Sequence, residues 1–425
     1  MNRFIERLLK SEYFKNISVQ VLGTATAQVL PLLIMPILSR IYNEETFASY
    51  ATFIAFSGVL CVATGARYSY AIVLPKKENE AYYIFLVSIY YNVLYSILVA
   101  LLIIVFNFFF ENLHSIDYSF IFIPLYVLFY GTWLALINLS IRKKKFRVNS
   151  YSKILQSFSN VTSSLGLGFL KVFSGLILGK IIGAIVSVFF LSRKLTKTKS
   201  LKITYHDFKK ISNKYRDFPL YGILPSFLDA ASIQAPVFII GAYFTVEQLG
   251  YYGFTVMVLA GPLSIISVSF RDVFYQKIAE TYNQNKSEKL KSIFEKTALS
   301  LLGIGIPILL LLVFYGESLF AFIFGYKWAD SGIYASILIT SFIIKLVVSP
   351  LSSVFNVLNK LKVLSIWQTI YFFTTFSTLM TSIIIFKVDI FTFLKIYLYH
   401  ELVLYMFYFI LQYNAIKKFN LSCAE

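Results

Sequence analysis

The stretch that decides the fold runs from residue 82 to residue 110 and reads YYIFLVSIYYNVLYSILVALLIIVFNFFF. It carries no charge, and about 20 apolar residues suffice to cross a bilayer as a helix. The whole chain of 425 residues is 58% hydrophobic and only 14% charged, with a mean hydropathy of +0.71. A soluble domain carries roughly 25% charged residues and could not bury this apolar surplus. The composition therefore excludes a soluble enzyme, a disordered protein and a nucleic-acid-binding module, and it predicts a polytopic membrane protein.

Similar apolar runs, separated by polar breaks, recur along the whole sequence. They fall at 16–39, 47–74, 82–110, 118–141, 150–170, 172–191, 218–243, 248–274, 297–315, 331–358, 363–386 and 390–414. Each run is long enough to span a bilayer, so the sequence predicts an all-α fold with about twelve transmembrane helices.

Basic residues are distributed unevenly over the predicted loops of this chain, whose formal net charge is +18. If the N-terminus is cytoplasmic, the inner segments hold 29 Lys and Arg and the outer segments hold four. Cytoplasmic loops of membrane proteins carry the excess of Lys and Arg, so both termini are predicted to face the cytoplasm. The charged first fifteen residues resemble the start of a signal peptide. The apolar run after them is too long for a cleaved signal, and we interpret it as the first helix.

The longest inner connection, from Ser192 to Asp217, divides the predicted helices into six and six. Residues 45–50 (ETFASY) and 247–252 (EQLGYY) share a faint likeness and follow the first helix of each half. Six helices per half leave both halves in the same orientation, so a repeat axis would lie along the membrane normal. We predict two six-helix lobes, residues 1–200 and 201–425.

Prolines cluster in the first predicted helix of each half. Pro31 and Pro36 lie in the first helix, and Pro219, Pro225 and Pro236 lie in the seventh. Proline removes a backbone donor and kinks a helix. Membrane proteins tolerate this where neighbouring groups or cavity water satisfy the freed carbonyl, although prolines are also simply common in transmembrane helices. The matching positions make Pro31, Pro36, Pro225 and Pro236 hinge candidates.

Six basic residues fall inside predicted spans, where a charge costs at least ~2.5–3.5 kcal/mol on insertion scales. Lys153 and Lys395 lie near span ends, so we expect their ammonium groups to reach the interface. The deep bases are Arg67, Lys180, Arg271 and Lys345. We predict that these four face a cavity, with snorkelling or a structural ion pair as the alternative.

Only three acids lie in the same spans, namely Asp229, Asp272 and Glu401. The interior therefore carries a surplus of positive charge, which suits an anion such as a phosphate or a diphosphate. A pump for cationic drugs would need a surplus of acids instead. Asp229 lies deep in its span and is the candidate residue for ion coupling.

Residues that build metal or catalytic sites are scarce. The two cysteines, Cys61 and Cys423, and the three histidines, His114, His206 and His400, show no ligand spacing. No predicted outer loop is long enough to gather catalytic carboxylates, and no nucleophile motif appears. We expect no catalytic residue, no metal and no cofactor.

Small residues form a stripe on the sixth predicted helix, where Gly175, Gly179 and Gly183 recur every four residues. Such a stripe lets two membrane helices approach closely. We interpret it as helix packing and not as a contact with substrate.

The opening residues carry a family resemblance. They read GTATAQVLPLLIMPILSRIY over residues 23–42, then TGARY over 64–68 and AIVLPK over 71–76, with Phe47 and Tyr50 between. This pattern resembles the start of Wzx-type translocases of polysaccharide repeat units. These belong to the multidrug/oligosaccharidyl-lipid/polysaccharide (MOP) exporter superfamily.

The resemblance implies two six-helix lobes around a central cavity. It also implies flipping of an undecaprenyl-diphosphate-linked repeat unit, for lipopolysaccharide O-antigen or capsule, across the bacterial inner (cytoplasmic) membrane. Alternating access would be coupled to an ion gradient. The implied partners are the lipid-linked oligosaccharide, membrane lipids, a polysaccharide polymerase and a chain-length regulator, and no nucleic acid. In this scheme the diphosphate is bound by Arg67, Arg271, Lys180 and Lys345.

Two alternatives remain. A multidrug cation antiporter of the same superfamily would share the fold, but the basic interior disfavours it. A membrane enzyme such as a polysaccharide polymerase or a glycosyltransferase would need carboxylates gathered in a sizeable loop. We therefore expect a transporter and not an enzyme.

Overall fold

The computed structural model describes residues 12–110, 118–195, 204–284 and 287–422. It describes side chains within 23–108, 120–195, 204–282, 284, 289–360 and 362–417. All regular secondary structure in these residues is helical. The charged segment before residue 12, the predicted loops that contain His114 and residues 196–203, and Cys423 lie outside the described residues.

The α-helices of the described residues are α1 (Glu12–Ile41), α2 (Glu44–Cys61), α3 (Glu78–Phe110), α4 (Ile123–Arg142), α5 (Phe146–Phe169), α6 (Gly175–Leu195), α7 (Tyr205–Lys214), α8 (Asp217–Tyr243), α9 (Val246–Asn283), α10 (Ser287–Phe324), α11 (Ala329–Leu351), α12 (Ser353–Val357), α13 (Leu361–Ile384) and α14 (Ile390–Ser422). Short 3₁₀-helices lie at Thr64–Val73, Tyr118–Phe122 and Tyr326–Trp328. All but α7 and α12 have 18 or more residues, and these long helices overlap the predicted apolar runs in order.

The number of membrane crossings is a separate matter from the number of long helices. In the described part of the chain, nine helices are long and apolar enough to cross a membrane, or ten if α2 and the following 3₁₀-helix form one broken span. The helices α5 and α13 are not in that set. The twelve crossings and the cytoplasmic placement of both termini therefore stay predictions.

Two long helices extend well beyond their predicted apolar runs. α9 continues to Asn283 and α10 begins at Ser287, whereas the predicted runs were 248–274 and 297–315. The residues added between the two runs are largely polar, but lysine and glutamate are good helix formers. Lys291 and Glu295 also form an ion pair one turn apart, at 3.8 Å. Apolarity marks where a span ends, and it does not mark where a helix ends.

The second predicted run, 47–74, is not one continuous helix. α2 ends at Cys61, and the 3₁₀-helix Thr64–Val73 follows at an angle of 59°. Gly65, Ala66 and Arg67 have positive φ angles of 56°, 45° and 60°, and a right-handed helix cannot continue through left-handed residues. The continuous helix predicted here is wrong, because an apolar pattern does not report the sign of a backbone angle.

The chain divides into two compact units. The first contains the residues up to Ile34 together with Ser49–Ala230, and the second contains Met35–Ala48 together with the residues from Ala231 onward. The division falls inside α1, inside α2 and inside α8, so each of these helices contributes to both units. The predicted lobes, 1–200 and 201–425, stay a prediction.

In the first unit, two glycines bring α5 and α6 into close contact. A Cβ at Gly179 would lie 2.1 Å from Ser164 Oγ, and a Cβ at Gly183 would lie 2.5 Å from the carbonyl oxygen of Gln156. Any larger residue at these positions would push the helices apart. The packing role predicted for the glycine stripe is confirmed for Gly179 and Gly183.

In the second unit, aromatic rings gather around Trp328, which is fully buried. Trp328 stacks on Phe254 with ring centroids 4.0 Å apart, and Phe47 meets both rings edge-on at 5.0 Å. This cluster fixes residues 35–48 to the second unit. Trp328 Nε1 donates to the carbonyl oxygen of Ser39 at 2.9 Å, and Ser39 Oγ donates to that of Phe324 at 3.0 Å.

Candidate functional site

The sharp bend after α2 is built from three consecutive residues with positive φ. Gly65 is required there twice over, because a Cβ would have a strained φ of 56° and would lie 2.5 Å from Ser88 Oγ of α3. Ala66 and Arg67 also have positive φ angles, but unlike glycine each of them carries a Cβ. Left-handed backbone costs an ordinary residue roughly 1–2 kcal/mol. Such strain persists only where the surroundings impose it, and it concentrates at functional sites.

Neighbouring elements of the first unit hold the bend in place. The Tyr68 ring is buried and stacks on Tyr91 of α3 at 5.5 Å. The Tyr68 hydroxyl donates to the carbonyl oxygen of Ser212, in α7, at 2.9 Å. Thr64 Oγ1 donates to the carbonyl oxygen of Cys61 at 2.7 Å, which satisfies one orphan acceptor at the end of α2.

Arg67 is the charged group that this bend presents. Its guanidinium lies 4.7 Å from the centroid of the Tyr70 ring, a cation–π contact. Its Nε passes close to α8, where a Cβ at Gly222 would lie only 2.9 Å away. Among the residues that the structure describes, no carboxylate lies within 4.0 Å of Arg67. Arg67 is therefore a half-buried cation whose charge no described acid neutralises.

Lys345 of α11 has a different environment, in the second unit. Its Nζ lies 2.5 Å from Glu401 Oε2 of α14, and the Glu401 side chain is completely buried. The lysine also donates to the Tyr397 hydroxyl at 3.1 Å, and the Tyr371 hydroxyl donates to Glu401 Oε1 at 2.9 Å. His400 Nδ1 lies 3.6 Å from the same carboxylate oxygen. Lys345 is thus the basic half of a buried ion pair.

Sequence reasoning noted both Lys345 and Glu401 in predicted spans but did not pair them. The two residues are 56 positions apart in the chain, so no local spacing joins them. The sequence signal that favours this pair is the scarcity of acids. Few acids lie in the predicted spans of the second half, and Glu401 is a deep one. Of the alternatives stated for the deep bases, the structural ion pair is the one that applies to Lys345.

The other predicted site residues lie apart from one another. Arg271 of α9 is half-exposed and contacts its neighbour Asp272 at 3.3 Å. Lys180 of α6 is half-buried, and no described carboxylate lies within 4.0 Å of it. Asp229 of α8 is also half-buried and has no ion partner within the described residues. Arg67, Lys180 and Asp229 belong to the first unit, and Arg271 and Lys345 to the second.

Lys153, which the sequence predicts to reach the interface, has a specific partner in the structure. Its Nζ donates to Thr24 Oγ1 of α1 at 2.9 Å, so it ties α5 to α1 within the first unit. Lys395 is exposed, as expected of a residue near a span end. In the described residues, no group of three or more His, Cys, Asp or Glu side chains could hold a metal ion.

The hinge candidates bracket the places where α1 and α8 pass from one unit to the other. In α1, Pro31 and Pro36 lie on either side of the division after Ile34. In α8, Pro225 and Pro236 lie on either side of the division after Ala230.

A hydroxyl compensates for the proline at Pro31. Because Pro31 has no N–H, the carbonyl of Ala27 loses its helical donor. Ser157 Oγ of α5 donates to that carbonyl oxygen at 2.6 Å. The carbonyl freed by Pro31 is therefore satisfied by a specific neighbour in the first unit, as membrane helices require.

A family model described as polysaccharide biosynthesis protein matches residues 37–333, which is more than half of the chain. The chain belongs to this family. The comparison with curated proteins gives no match. The resemblance drawn from the opening residues is confirmed at the level of the family.

Solved structures of similar fold cover nearly the whole chain. An inward-facing multidrug resistance MATE transporter of the MOP superfamily is 13% identical, with a TM-score of 0.68 over 96% of this chain and 99% of that one. The lipid II flippase MurJ, in an inward closed conformation, is 14% identical, with a TM-score of 0.68 over 95% and 90%. A MOP transporter from Pyrococcus furiosus is 14% identical, with a TM-score of 0.63 over 97% and 98%.

At these identities the likeness concerns the fold alone. This chain is therefore a member of the polysaccharide biosynthesis family that has the fold of MOP superfamily transporters and flippases. Together with the long apolar helices, this makes the chain a multi-pass membrane protein.

Proposed function

We propose that this protein flips an undecaprenyl-diphosphate-linked oligosaccharide repeat unit across the bacterial inner membrane. The repeat unit would serve O-antigen or capsule synthesis. One observation carries the proposal: this member of the polysaccharide biosynthesis family presents Arg67, a cation with no described acid partner, at the strained 59° bend between α2 and the 3₁₀-helix that follows it. Irregular backbone at membrane depth is tolerated where it lines a cavity or is buried in protein.

The diphosphate is the part of the substrate that this residue would recognise. A guanidinium binds phosphate oxygens through paired N–H donors, and it keeps its charge at any physiological pH. The guanidinium lies over the Tyr70 ring, and among the described residues no carboxylate accepts from its N–H groups, so these donors would bind the diphosphate. Lys180 is the second candidate in the same unit. Arg271 is a weaker one because Asp272 already shares its charge.

Movement would occur by bending of α1 and α8 at their prolines. The first part of α1 is fixed to the first unit by Ser157 and Lys153, and its last part is fixed to the second unit by Trp328. Pro31 and Pro36 lie between these anchors. The same residue type flanks the division in α8. Alternating access would use these two helices as its flexible links.

Asp229 is the proposed coupling residue. It is the acid of the described first unit that lies deep in a helix without an ion partner, one residue before the division in α8. Glu401, the other deep acid, is already neutralised by Lys345. A carboxylate without a fixed counter-charge can exchange a proton or a sodium ion during each cycle.

The test is a flipping assay in proteoliposomes with a fluorescent, undecaprenyl-diphosphate-linked oligosaccharide. Label moved to the inner leaflet escapes a membrane-impermeant quencher, and we expect this protection only in vesicles that contain the protein. The same oligosaccharide on undecaprenyl monophosphate should move more slowly, because one phosphate offers fewer acceptors to Arg67. Transport of a cationic dye in place of either lipid would favour the multidrug alternative and overturn the proposal.

A further inference from the structure

Two successive helices, α7 and α8, contact the bend that carries Arg67. They are separated by only two residues, and the parts that meet the bend belong to the first unit. α7 meets the bend at Tyr68, whose hydroxyl donates to the carbonyl oxygen of Ser212 at 2.9 Å. α8 meets it at Gly222, which lies against the side chain of Arg67. One short stretch of chain therefore contacts two consecutive residues of the bend.

α7 is fixed to α3 along one apolar face. The centroid of the Phe208 ring lies 5.0 Å from that of Tyr90 and 5.8 Å from that of Tyr91. Ile211, three residues further on, is buried in the core cluster against which Phe208 and Tyr91 pack. A helix of ten residues is marginal in water by itself. The packing against α3 therefore determines where α7 lies.

A carboxylate of α3 holds the C-terminal end of α7. Lys214 Nζ forms an ion pair with Glu80 Oε1, and the Tyr215 hydroxyl donates to the same oxygen at 3.0 Å. A partly exposed ion pair adds little stability, but together the two contacts fix the last turn of α7 against α3. Ser212 lies in that turn, where carbonyl groups lack a helical donor. Its carbonyl is therefore available to the Tyr68 hydroxyl.

Tyr68 transmits the position of α7 to the bend. Its ring stacks on Tyr91, which also contacts Phe208 of α7, and its hydroxyl is bonded to α7 directly. Residues 65–67, which precede it, have positive φ angles. Left-handed backbone is unfavourable for residues with a Cβ, so it persists only where the surroundings impose it. The anchored Tyr68 is one of the constraints that impose it here.

Gly222 gives the Arg67 side chain room to pass over α8. A Cβ at this position would lie 2.9 Å from Arg67 Nε and 3.0 Å from Arg67 Cδ, closer than side chains normally approach. Glycine inside a helix is less favourable than alanine, and here it permits this close approach. The guanidinium lies over the Tyr70 ring, 4.7 Å from its centroid. The side chain is therefore guided by α8 and by Tyr70.

We infer that α7 and α8 clamp the bend and thereby set the direction in which the Arg67 guanidinium points. Tyr68 positions the backbone of Arg67, and Gly222 positions its side chain. Both are positioning residues, because they act through Arg67. A side chain that is already held in place loses less conformational entropy on binding, which raises affinity. The inference rests on the proposed function, in which Arg67 binds the diphosphate.

The proteoliposome assay, run over a range of concentrations of the diphosphate lipid, tests the clamp. Tyr68→Phe keeps the ring and removes the hydroxyl bond to α7. It should raise the lipid concentration for half-maximal flipping roughly fivefold, the factor that ~1 kcal/mol for one hydrogen bond represents, with the maximal rate nearly unchanged. Gly222→Ala should raise the same concentration, because the added Cβ displaces the guanidinium. A purely structural role would instead lower the maximal rate through loss of folded protein.

Ser96→Ala is the matched control. Ser96 Oγ of α3 donates to the carbonyl oxygen of Pro124 in α4 at 2.7 Å, so this variant also removes one hydroxyl-to-carbonyl bond within the first unit. That bond involves neither the bend nor α7. Ser96→Ala should therefore leave the half-maximal concentration unchanged, whatever its effect on stability.

Hydrogen exchange followed by mass spectrometry tests the clamp without flipping. Amide groups of residues 64–73 should exchange faster in Tyr68→Phe than in the wild-type protein, and at the wild-type rate in Ser96→Ala. Unchanged exchange in Tyr68→Phe, or faster exchange with an unchanged half-maximal concentration, would overturn the inference. Failure of the proposed function looks different, because the wild-type protein would then not move the diphosphate lipid or Arg67→Ala would flip it normally. In that case the exchange rates alone decide whether α7 holds the bend.

Discussion

Arg67 and Lys345 are both basic, both lie deep in predicted spans, and both are predicted to bind the same diphosphate. The structure gives them opposite surroundings. Lys345 lies 2.5 Å from a fully buried Glu401, whereas no described carboxylate comes within 4.0 Å of Arg67. A buried charge with a counter-charge is part of the scaffold, and one without is available to a ligand. The partner decides the role, and the residue type does not.

The backbone is regular at Lys345 and strained at Arg67. Lys345 lies within the regular helix α11, while Arg67 has a φ of 60° at a 59° bend. The second unit therefore resolves the cost of its buried charge locally. The first unit carries an uncompensated charge and a strained turn together, and a bound anion would compensate the charge.

Lys345→Met should give the largest loss of stability. Removing one partner of a buried ion pair costs about 3–5 kcal/mol, because the other charge is left uncompensated. The loss should appear as a lower unfolding temperature of the purified protein. Lys345→Met combined with Glu401→Gln should recover most of it. Lys395→Met, an exposed lysine at the start of α14, is the control and should be nearly neutral. A neutral Lys345→Met would mean that the pair does not hold α11 against α14.

Arg67→Ala should show the reverse pattern, with activity lost and stability retained. Charge-assisted hydrogen bonds contribute about 1.5–3 kcal/mol each, so flipping should fall by one to two orders of magnitude. Arg67→Lys should retain part of the rate, since it keeps the charge and loses the paired donors. Rates come from the proteoliposome assay.

Arg193→Ala is the matched control for Arg67→Ala. Arg193 is also an arginine over an aromatic ring, 4.1 Å from Phe189, but it is exposed at the end of α6. Its removal should leave flipping unchanged. If both arginine variants flip the substrate at the normal rate, Arg67 is not the diphosphate ligand, and its lack of an ion partner does not distinguish its role from that of Lys345.

The strained turn can be tested apart from the charge. Gly65→Ala places a Cβ at positive φ and 2.5 Å from Ser88 Oγ, and should destabilise the protein by about 2 kcal/mol. Ala66→Gly removes strain of the same sign and should stabilise it by less than about 1 kcal/mol, since glycine loses more entropy on folding. Chemical unfolding in detergent measures both. A left-handed turn predicts changes of opposite sign in the free energy of unfolding of the two variants. Changes of the same sign would contradict it.

The smallest expected effect concerns the Ala27 carbonyl, which accepts a hydrogen bond from the Ser157 hydroxyl. Ser157→Ala removes the donor to the Ala27 carbonyl and should cost about 0.6 kcal/mol, typical of hydrogen bonds between membrane helices. In a Pro31→Ala background the same change should cost nothing, because the substituted residue has an N–H and restores the helical donor. Equal costs in both backgrounds would show that Ser157 does not compensate for Pro31.

Much of the fold could be read from periodicity and length. The twelve apolar runs overlap the twelve long helices of the described residues because a stretch of apolar residues has few other stable conformations in a bilayer. The bend at Gly65 was missed, since TGARY differs little from an ordinary helical sequence. The extensions of α9 and α10 were missed because polar residues such as Lys291 continue a helix outside the apolar zone.

The sequence by itself determined that this chain is a helical, multi-pass membrane protein of the polysaccharide biosynthesis family, with more basic than acidic groups in its spans. These properties are local, and each follows from the residues within one stretch. Only the tertiary structure decided that Lys345 meets Glu401, that Ser157 serves the carbonyl freed by Pro31, and that Arg67 stays without a described acid. Those facts depend on which side chains meet across 50 or more residues of chain. Electrostatic compensation is a property of pairs of atoms in space, which a linear pattern does not specify.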